Sequence, residues 1–504
     1  MNKLNFEIMT GQLSKKTIIN LKTGIVFLLV IIGINSFGQQ TRVLSYDETI
    51  QLALKQSPDA LSAMHRFRGS YWEYRNYKAL LLPSLSLSAT LPRITKGIEY
   101  FNEQFVPRNS VYYSGGLSLS QNIGPTGGTM FVNINLERLK KSAVIDFSAS
   151  PLVNIGISQP LFGYNQFKWL KKTEPLRYNE AERKYIEDVE QVSINATDAF
   201  FRLLDAQIRL KIQQVNFANN DTLYQIARGR YNIGTIAENE LLQIELSLLN
   251  ARLAVSEAEL EVERRMFDLK SYLRIPDDVQ IELLTPNTPR EFSVDAQKAI
   301  DQARSNRSDA LGFERRIFEA QQKVSQAKSE NRFSANLTAS YGLASSAREF
   351  EFLYDDPIES QMLNVGITIP ILDWGLGKGR VKLAESNMEL ATTAVQQEII
   401  DFDQEVFIKV MQFNTQPLVM AIASKSDTVA LKRYEVTKQR YLIGKIGITD
   451  LNIAQTEKDN AQQGYVNALY TYWRNYYELR KLTLYDFLNN RRIVFNIDDI
   501  PELN

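Results

Sequence analysis

The 504-residue chain contains no cysteine and a single histidine, His65. Without cysteine there are no disulfides, no thiolate metal sites, no thiol nucleophile and no lipid attached to an N-terminal Cys. One histidine leaves no room for most zinc sites or for any His-based catalytic triad. Charge of either sign is not in excess, because Lys+Arg and Asp+Glu both number 58. That balance argues against nucleic-acid binding, which calls for a basic surplus or patch. No glycine-rich phosphate loop is present, so neither nucleotide nor any other cofactor is expected. Long apolar runs are scarce too: beyond the N-terminal region none approaches 18 residues, unlike a multi-span helical membrane protein. With 44% apolar and 23% charged residues the chain is nevertheless not a disordered one.

What is present begins with an address. Lys15, Lys16 and Lys22 flank an 11-residue apolar run at 24–34, and Ser36 and Gly38 supply small residues before a cleavage point. Residues 1–38 therefore read as a secretory signal rather than a membrane anchor. Removing its four Lys and one Glu leaves 54 basic against 57 acidic residues, a net charge of −3. An exported chain without a spanning helix can cross a membrane only with β-strands.

The rest is duplicated. Arg230-Tyr231-Asn232-Ile233-Gly234-Thr235-Ile236 returns as Arg440-Tyr441-Leu442-Ile443-Gly444-Lys445-Ile446, 210 residues on, with six identities in the twelve positions 230–241. Residues 153–160 match 363–370 at the same offset. Upstream the offset becomes 250, pairing Asp59-Ala60-Leu61 with Asp309-Ala310-Leu311, and Ser84, Leu87 and Ala89 with Ser334, Leu337 and Ala339. The first half thus carries about 40 additional residues between Thr90 and Leu152. Each half reads as helix, strand, loop, strand, very long helix, tight turn, long helix. The strands alternate with period two: Leu85, Leu87 and Ala89 against Ser84, Ser86 and Ser88; Val153, Ile155 and Ile157 against Asn154, Gly156 and Ser158. Ala335, Leu337 and Ala339, and Val365, Ile367 and Ile369, repeat the pattern. One apolar and one small polar face suit lipid outside and water inside. Four strands are too few to close a barrel, which requires several copies of the chain. The additional stretch alternates as well, at 115–120 and 129–136 around a turn-like segment, and reads as an added hairpin beside the strands.

Past Pro160 no break appears until about Ala227, apart from Pro175 near the start, and roughly 60 helical residues span about 90–100 Å. The seam Tyr185, Val189, Val192, Ala196, Ala199, Leu203, Ala206, Leu210 alternates steps of four and three. The returning helix offers Leu241, Ile244, Leu248, Ala251, Val255, Ala258 and Val262. Adding 210 gives Leu451, Ala454, Lys458, Ala461, Tyr465, Ala468 and Tyr472, and Val381, Ala384, Met388, Ala391 and Val395 complete the set. This is coiled-coil packing. The polar remainder fits a solvated exterior and a wet channel equally well. Pro417 predicts a kink or a break. Short strands are expected at 281–284 and 492–496, beside the middle of the long helices, where Tyr470, Tyr472, Trp473, Tyr476 and Tyr477 pack. The carboxylate pairs Asp355-Asp356 and Asp498-Asp499 fall in polar loops; no catalytic residue, metal site or enzymatic activity is expected.

Several motifs carry a resemblance to the TolC-like outer-membrane efflux proteins. They are Leu44-Ser45-Tyr46-Asp47-Glu48 through Ser57-Pro58-Asp59, Leu81-Leu82-Pro83-Ser84-Leu85, Ser158-Gln159-Pro160-Leu161-Phe162-Gly163, Ile369-Pro370-Ile371-Leu372-Asp373-Trp374-Gly375, and the two Arg-Tyr-x-Ile-Gly turns. The resemblance implies a mainly α fold with a membrane β-barrel: a homotrimer whose four strands per chain close a twelve-stranded barrel in the outer membrane, continued by a periplasmic α-helical barrel. It implies two repeats, 39–290 and 291–504, after the signal 1–38. The implied function is a passive exit duct of a tripartite efflux or type I secretion system, working with a periplasmic adaptor (a membrane fusion protein) and an inner-membrane transporter. The implied adaptor-docking tips are Tyr231, Ile233, Gly234, Thr235, Tyr441, Ile443, Gly444 and Lys445. The implied periplasmic gate comprises Glu240, Arg440 and Asp450, with Ile453 standing where the family carries a second acid. A periplasmic coiled-coil adaptor or scaffold is the alternative; it calls for one hairpin and leaves the alternating strands unexplained. An autonomous porin calls for many more strands.

Overall fold

In a computed structural model, residues 41–494 are described, apart from 102, 142 and 143. The expected signal at 1–38 and the residues after 494 lie outside them. Strand β1 (Thr41–Leu44) leads to helices α1 (Tyr46–Gln56) and α2 (Pro58–Leu80). Ser57 serves both helices: its backbone N–H closes α1 on the Ala53 carbonyl, and its side chain accepts from Ala60 N to start α2, with Pro58 at the first helical position. Four strands follow, β2 (Ser84–Phe101), β3 (Gln104–Ile123), β4 (Gly128–Lys141) and β5 (Val144–Leu161). Then come the hairpin α3 (Gln166–Asn232) and α4 (Glu238–Leu273), and strand β6 (Gln280–Leu283). The second half repeats the plan with α5 (Ala296–Asn306), α6 (Ser308–Glu330), β7 (Ser334–Ala347), β8 (Ile358–Thr368), α7 (Leu376–Leu442) and α8 (Ile448–Thr483). Two short strands, β9 (Tyr485–Asp486) and β10 (Arg491–Arg492), close it.

The two hairpins have equal reach. Helices α3 and α7 are each 67 residues long, about 100 Å, and α4 and α8 are each 36. Side by side they run α4–α3–α8–α7. Nearer the sheet, α2 and α6 take the places that α4 and α8 hold below, packing α2–α3–α6–α7. The expected seams face inward: Val192, Ala196, Leu203, Ile244, Ala251, Leu451, Ala454 and Val395 are all buried. Pro417 neither ends nor divides α7, which continues through it. Helix α7 is also long and apolar enough to cross a membrane by length and composition alone, but it packs along α6 and α8 in the helical layer.

The middle layer is a true core. β1 pairs in parallel with β6, and β9 pairs with β10. Leu44, Tyr46, Phe200, Leu269, Phe413, Tyr472 and Tyr476 pack there together, so the aromatic cluster of α8 is structural. Two buried acids of α3 stitch it. Glu187 accepts from Ser308 N at 2.8 Å and thereby caps α6 from a neighbouring helix. Glu190 meets Arg480 at 2.7 Å. Burial lifts the Glu190 carboxyl above its ordinary range, and the adjoining guanidinium offsets that only in part.

The sheet departs from expectation. It holds six antiparallel strands in the order β2-β3-β4-β5-β7-β8, not four. A wall of twelve strands from three copies therefore does not follow from this chain. The reason is the added stretch, whose hairpin forms β3 and β4 within the sheet rather than beside it, and separates β2 from β5. In the second half the equivalent strands β7 and β8 pair directly.

Candidate functional site at the hairpin tips

Both tips are built by the same backbone device. At the end of α3, Gly234 has φ 73° and its N–H reaches the Tyr231 carbonyl at 2.9 Å, while Thr235 N reaches Arg230 O at 2.9 Å. At the end of α7, Gly444 has φ 73°, with Gly444 N to Tyr441 O at 2.9 Å and Lys445 N to Arg440 O at 2.9 Å. This paired closure needs a left-handed residue, which glycine supplies without steric cost. The repeated motif is thus a turn prescription: four residues past each glycine the chain is helical again, at Glu238 and Ile448.

The side chains do not repeat so faithfully. Tyr441 is buried and Tyr231 is exposed. Tyr441 joins Leu223, Ala227, Ile244, Tyr434, Ile448, Leu451 and Ala454 in a small core that holds the two tips together. Arg230, an arginine the sequence offered only as part of a motif, spans from one tip to the other: its guanidinium donates to the Leu442 carbonyl at 2.7 Å and lies 5.9 Å from the centre of the Tyr441 ring. Burial, then the charge of Glu240, raises the Tyr441 hydroxyl pKa, and Arg230 opposes the shift. Tyr441 thus feels the charge of Glu240, while Arg440 lies exposed on the last turn of α7. Further support comes from Lys438 Nζ on Asn219 at 2.8 Å and Asn216 Nδ2 on Asp459 at 2.7 Å.

What remains outward is distinctive. Ile233 and Ile443 are 75% and 65% exposed at the two extremities. Thr235, Lys445 and both glycines are exposed around them. Asp450 lies in the first turn of α8, exposed, with Ile453 one turn on and also exposed, while Leu451 and Ala454 face the core. No cluster of three metal-ligating side chains occurs among the described residues.

The sequence profile of the family described as outer membrane efflux protein matches residues 133–273 and 299–483, one block on each hairpin. The chain belongs to that family. It is 23% identical over 340 residues to outer membrane protein TolC of Salmonella enteritidis, covering 64% of this chain and 66% of that one. It is 23% identical over 274 residues to toxin and drug export protein A of Aggregatibacter actinomycetemcomitans, covering 51% and 58%. Each alignment spans less than two thirds of the relative. The outer membrane channel CmeC of Campylobacter jejuni shares the fold, with a TM-score of 0.64 at 19% identity over 87% of this chain and 85% of that one. A member of this family resides in the outer membrane, extends into the periplasm and is a channel component rather than an enzyme.

Proposed function

We propose that the chain is the passive outer-membrane exit channel of a tripartite efflux or type I secretion system. It acts as a homotrimer, with repeats 39–290 and 291–504 each giving two helical columns to a twelve-column tunnel. The observation that carries this reading is at the two ends of the helical row. Helix α4 leaves Leu242, Leu246, Leu249, Leu253, Leu260 and Phe267 exposed at steps of three, four and seven. Helix α7 leaves Leu383, Leu390, Ile400, Phe407, Leu418 and Ile422 exposed. These are second coiled-coil seams with no partner in the chain among the described residues. Because α7 descends from the sheet and α4 returns to it, joining α7 of one copy to α4 of the next keeps the up-down alternation. A ring closes; a lone adaptor hairpin has no use for such seams, or for the exposed apolar sheet face of Leu85, Leu87, Ile155, Leu363 and Val365.

In this reading a periplasmic adaptor docks on Tyr231, Ile233, Gly234, Thr235, Tyr441, Ile443, Gly444 and Lys445, and an inner-membrane transporter supplies the energy and chooses the cargo. Glu240, Arg440, Asp450 and Ile453 form the narrow periplasmic mouth. Three copies of Asp450 concentrate negative potential there, and Ile453 adds an apolar collar. The test is membrane fractionation with heat-modifiable trimer migration, followed by adaptor crosslinking to Gly444→Trp. Trimers persist and crosslinking is lost; wild-type crosslinking in that variant overturns the docking assignment, and absence of trimers overturns the channel.

A further inference from the structure

The additional hairpin β3–β4 contributes 38 residues, from Gln104 to Lys141, and no helix. In the half nearer the helices its register runs unbroken into both neighbours, over Ser84–Thr90 of β2 and Thr129–Asn133 of β4, and shifts once on each side beyond that. The apolar line Leu85, Leu119, Val132, Ile155, Tyr341 crosses five strands in pairing register, and the polar line Ser86, Ser118, Asn133, Asn154 crosses four. The polar face is also bonded across the hairpin and onto its neighbour: Ser118 Oγ donates to Asn133 Oδ1 at 2.6 Å, and Ser84 and Ser120 hydroxyls lie 3.0 Å apart. Phe131 of β4 covers Gly156 of β5 so closely that a methyl group at Gly156 would stand 2.5 Å from its ring.

The helix-side turn of the hairpin, residues 124–127, is fastened to the strand–helix corners. Asn122 Nδ2 donates to Leu80 O at 2.9 Å, Asn165 Nδ2 to Gly124 O and Pro125 O at 3.0 Å each, and Gln159 Nε2 to Thr126 O at 2.9 Å. Asn165 is at the same time the N-cap of α3. A flap or plug has no need of such ties. At 20 and 14 residues, both strands exceed the roughly 9–11 needed to cross a bilayer.

We propose that β3–β4 is part of the membrane wall, so that three chains close an eighteen-stranded barrel whose outlet matches the tunnel in width. This rests on the trimeric channel reading above. Twelve helical columns at about 8–10 Å spacing need a perimeter of roughly 95–120 Å. Strands about 4.8 Å apart, tilted 35–45°, occupy about 6–7 Å of perimeter each, giving roughly 105–120 Å for eighteen and 70–80 Å for twelve. The wider wall removes a taper between tunnel and outlet. Its inner face in the half nearer the helices is mostly Ser, Asn, Gly and Thr, with Phe131 and Met362 among them and no charge filter. The cargo class is therefore solutes too bulky for a twelve-stranded outlet, and size selection falls to the tip end.

The experiment uses single cysteines, which the cysteine-free chain makes unambiguous. Trimers of Leu117→Cys, Ile134→Cys, Ser118→Cys and Asn133→Cys are reconstituted in lipid vesicles and treated with a water-soluble and a lipid-soluble maleimide. Expected is alternation: Ser118→Cys and Asn133→Cys react with the water-soluble reagent, Leu117→Cys and Ile134→Cys with the lipid-soluble one. Equal water-soluble labelling of all four removes the hairpin from the wall. The second measurement is graded poly(ethylene glycol) added from the outlet side of planar bilayers. The full chain admits polymers of about 1.5-fold larger radius than a variant lacking 104–141, the ratio of strand numbers. An unchanged cut-off in trimers of that variant overturns the proposal, and if the variant does not insert, the labelling pattern decides. Loss of wild-type trimers strikes the channel reading instead, and a trimer with twelve wall strands strikes the present one alone.

Discussion

The α3–α8 contact inside the chain and the bare outer faces of α7 and α4 occupy equivalent places in the duplication, since α3 corresponds to α7 and α8 to α4 at an offset of 210. The inner contact buries an apolar seam of its own, but at the positions matching the bare outer leucines its chemistry differs. Where α7 shows Leu383, Leu390 and Ile400, α3 has Thr173, Glu180 and Glu190; Glu180 is held by Arg315 of α6, nearer the sheet, and Glu190 by Arg480 of α8. Where α4 shows Leu242, Leu249 and Leu260, α8 has Asn452, Asp459 and Tyr470, with Asp459 bonded to Asn216 and Tyr470 to Asp198. The junction that covalent continuity guarantees adds polar pairs to its apolar seam. The outer faces, which in the proposed trimer meet by diffusion, are apolar. Apolar burial gives association a large non-directional drive, whereas polar pairs contribute register and little net energy.

The largest effect that could break this contrast is at the apolar edge. Leu383→Asp combined with Leu390→Asp places a charged row on α7 and is expected to abolish trimers while far-ultraviolet circular dichroism stays helical; intact heat-modifiable trimers would remove the edge from the interface. Next in size is the polar junction. Arg480→Ala strands the buried Glu190 carboxylate and costs about 3–5 kcal/mol in denaturant unfolding. The sign with pH follows from the raised Glu190 pKa. Stability of that variant is fullest below the unfolded carboxyl value and falls as pH rises through the higher folded value. A loss that does not recover on acidification denies the burial argument. The smallest effect sharpens the comparison at the tips, where Asp450 and its counterpart Glu240 differ in exposure. Asp450→Asn is expected to leave unfolding within about 0.5 kcal/mol of wild type and to lower cation preference in single-channel records. Unchanged selectivity excludes Asp450 from the mouth.

Much of the helical layer was legible because duplication makes a sequence its own alignment: the offset of 210 recurs at every boundary of the long helices. The turn glycines were legible because only one backbone geometry demands them there. The second seams escaped because a long helix carries two faces, and the buried stripe through Ile244 and Ala251 masks the exposed leucines two positions to either side. The added hairpin was visible as alternation, but in-plane insertion depends on hydrogen bonds between distant strands, which no local pattern records. At the tips the motif repeats while Arg230 crosses to Leu442 and Tyr441 alone is buried, because the two turns face different neighbours.

The strict up-down order of the columns has an electrical corollary. Each long helix is a dipole, and each lies beside one pointing the other way, so their axial fields cancel to a first approximation. Such a conduit imposes almost no backbone voltage gradient of its own on whatever moves through it. Any rectification in the proposed channel comes from its ionised side chains rather than from its backbone.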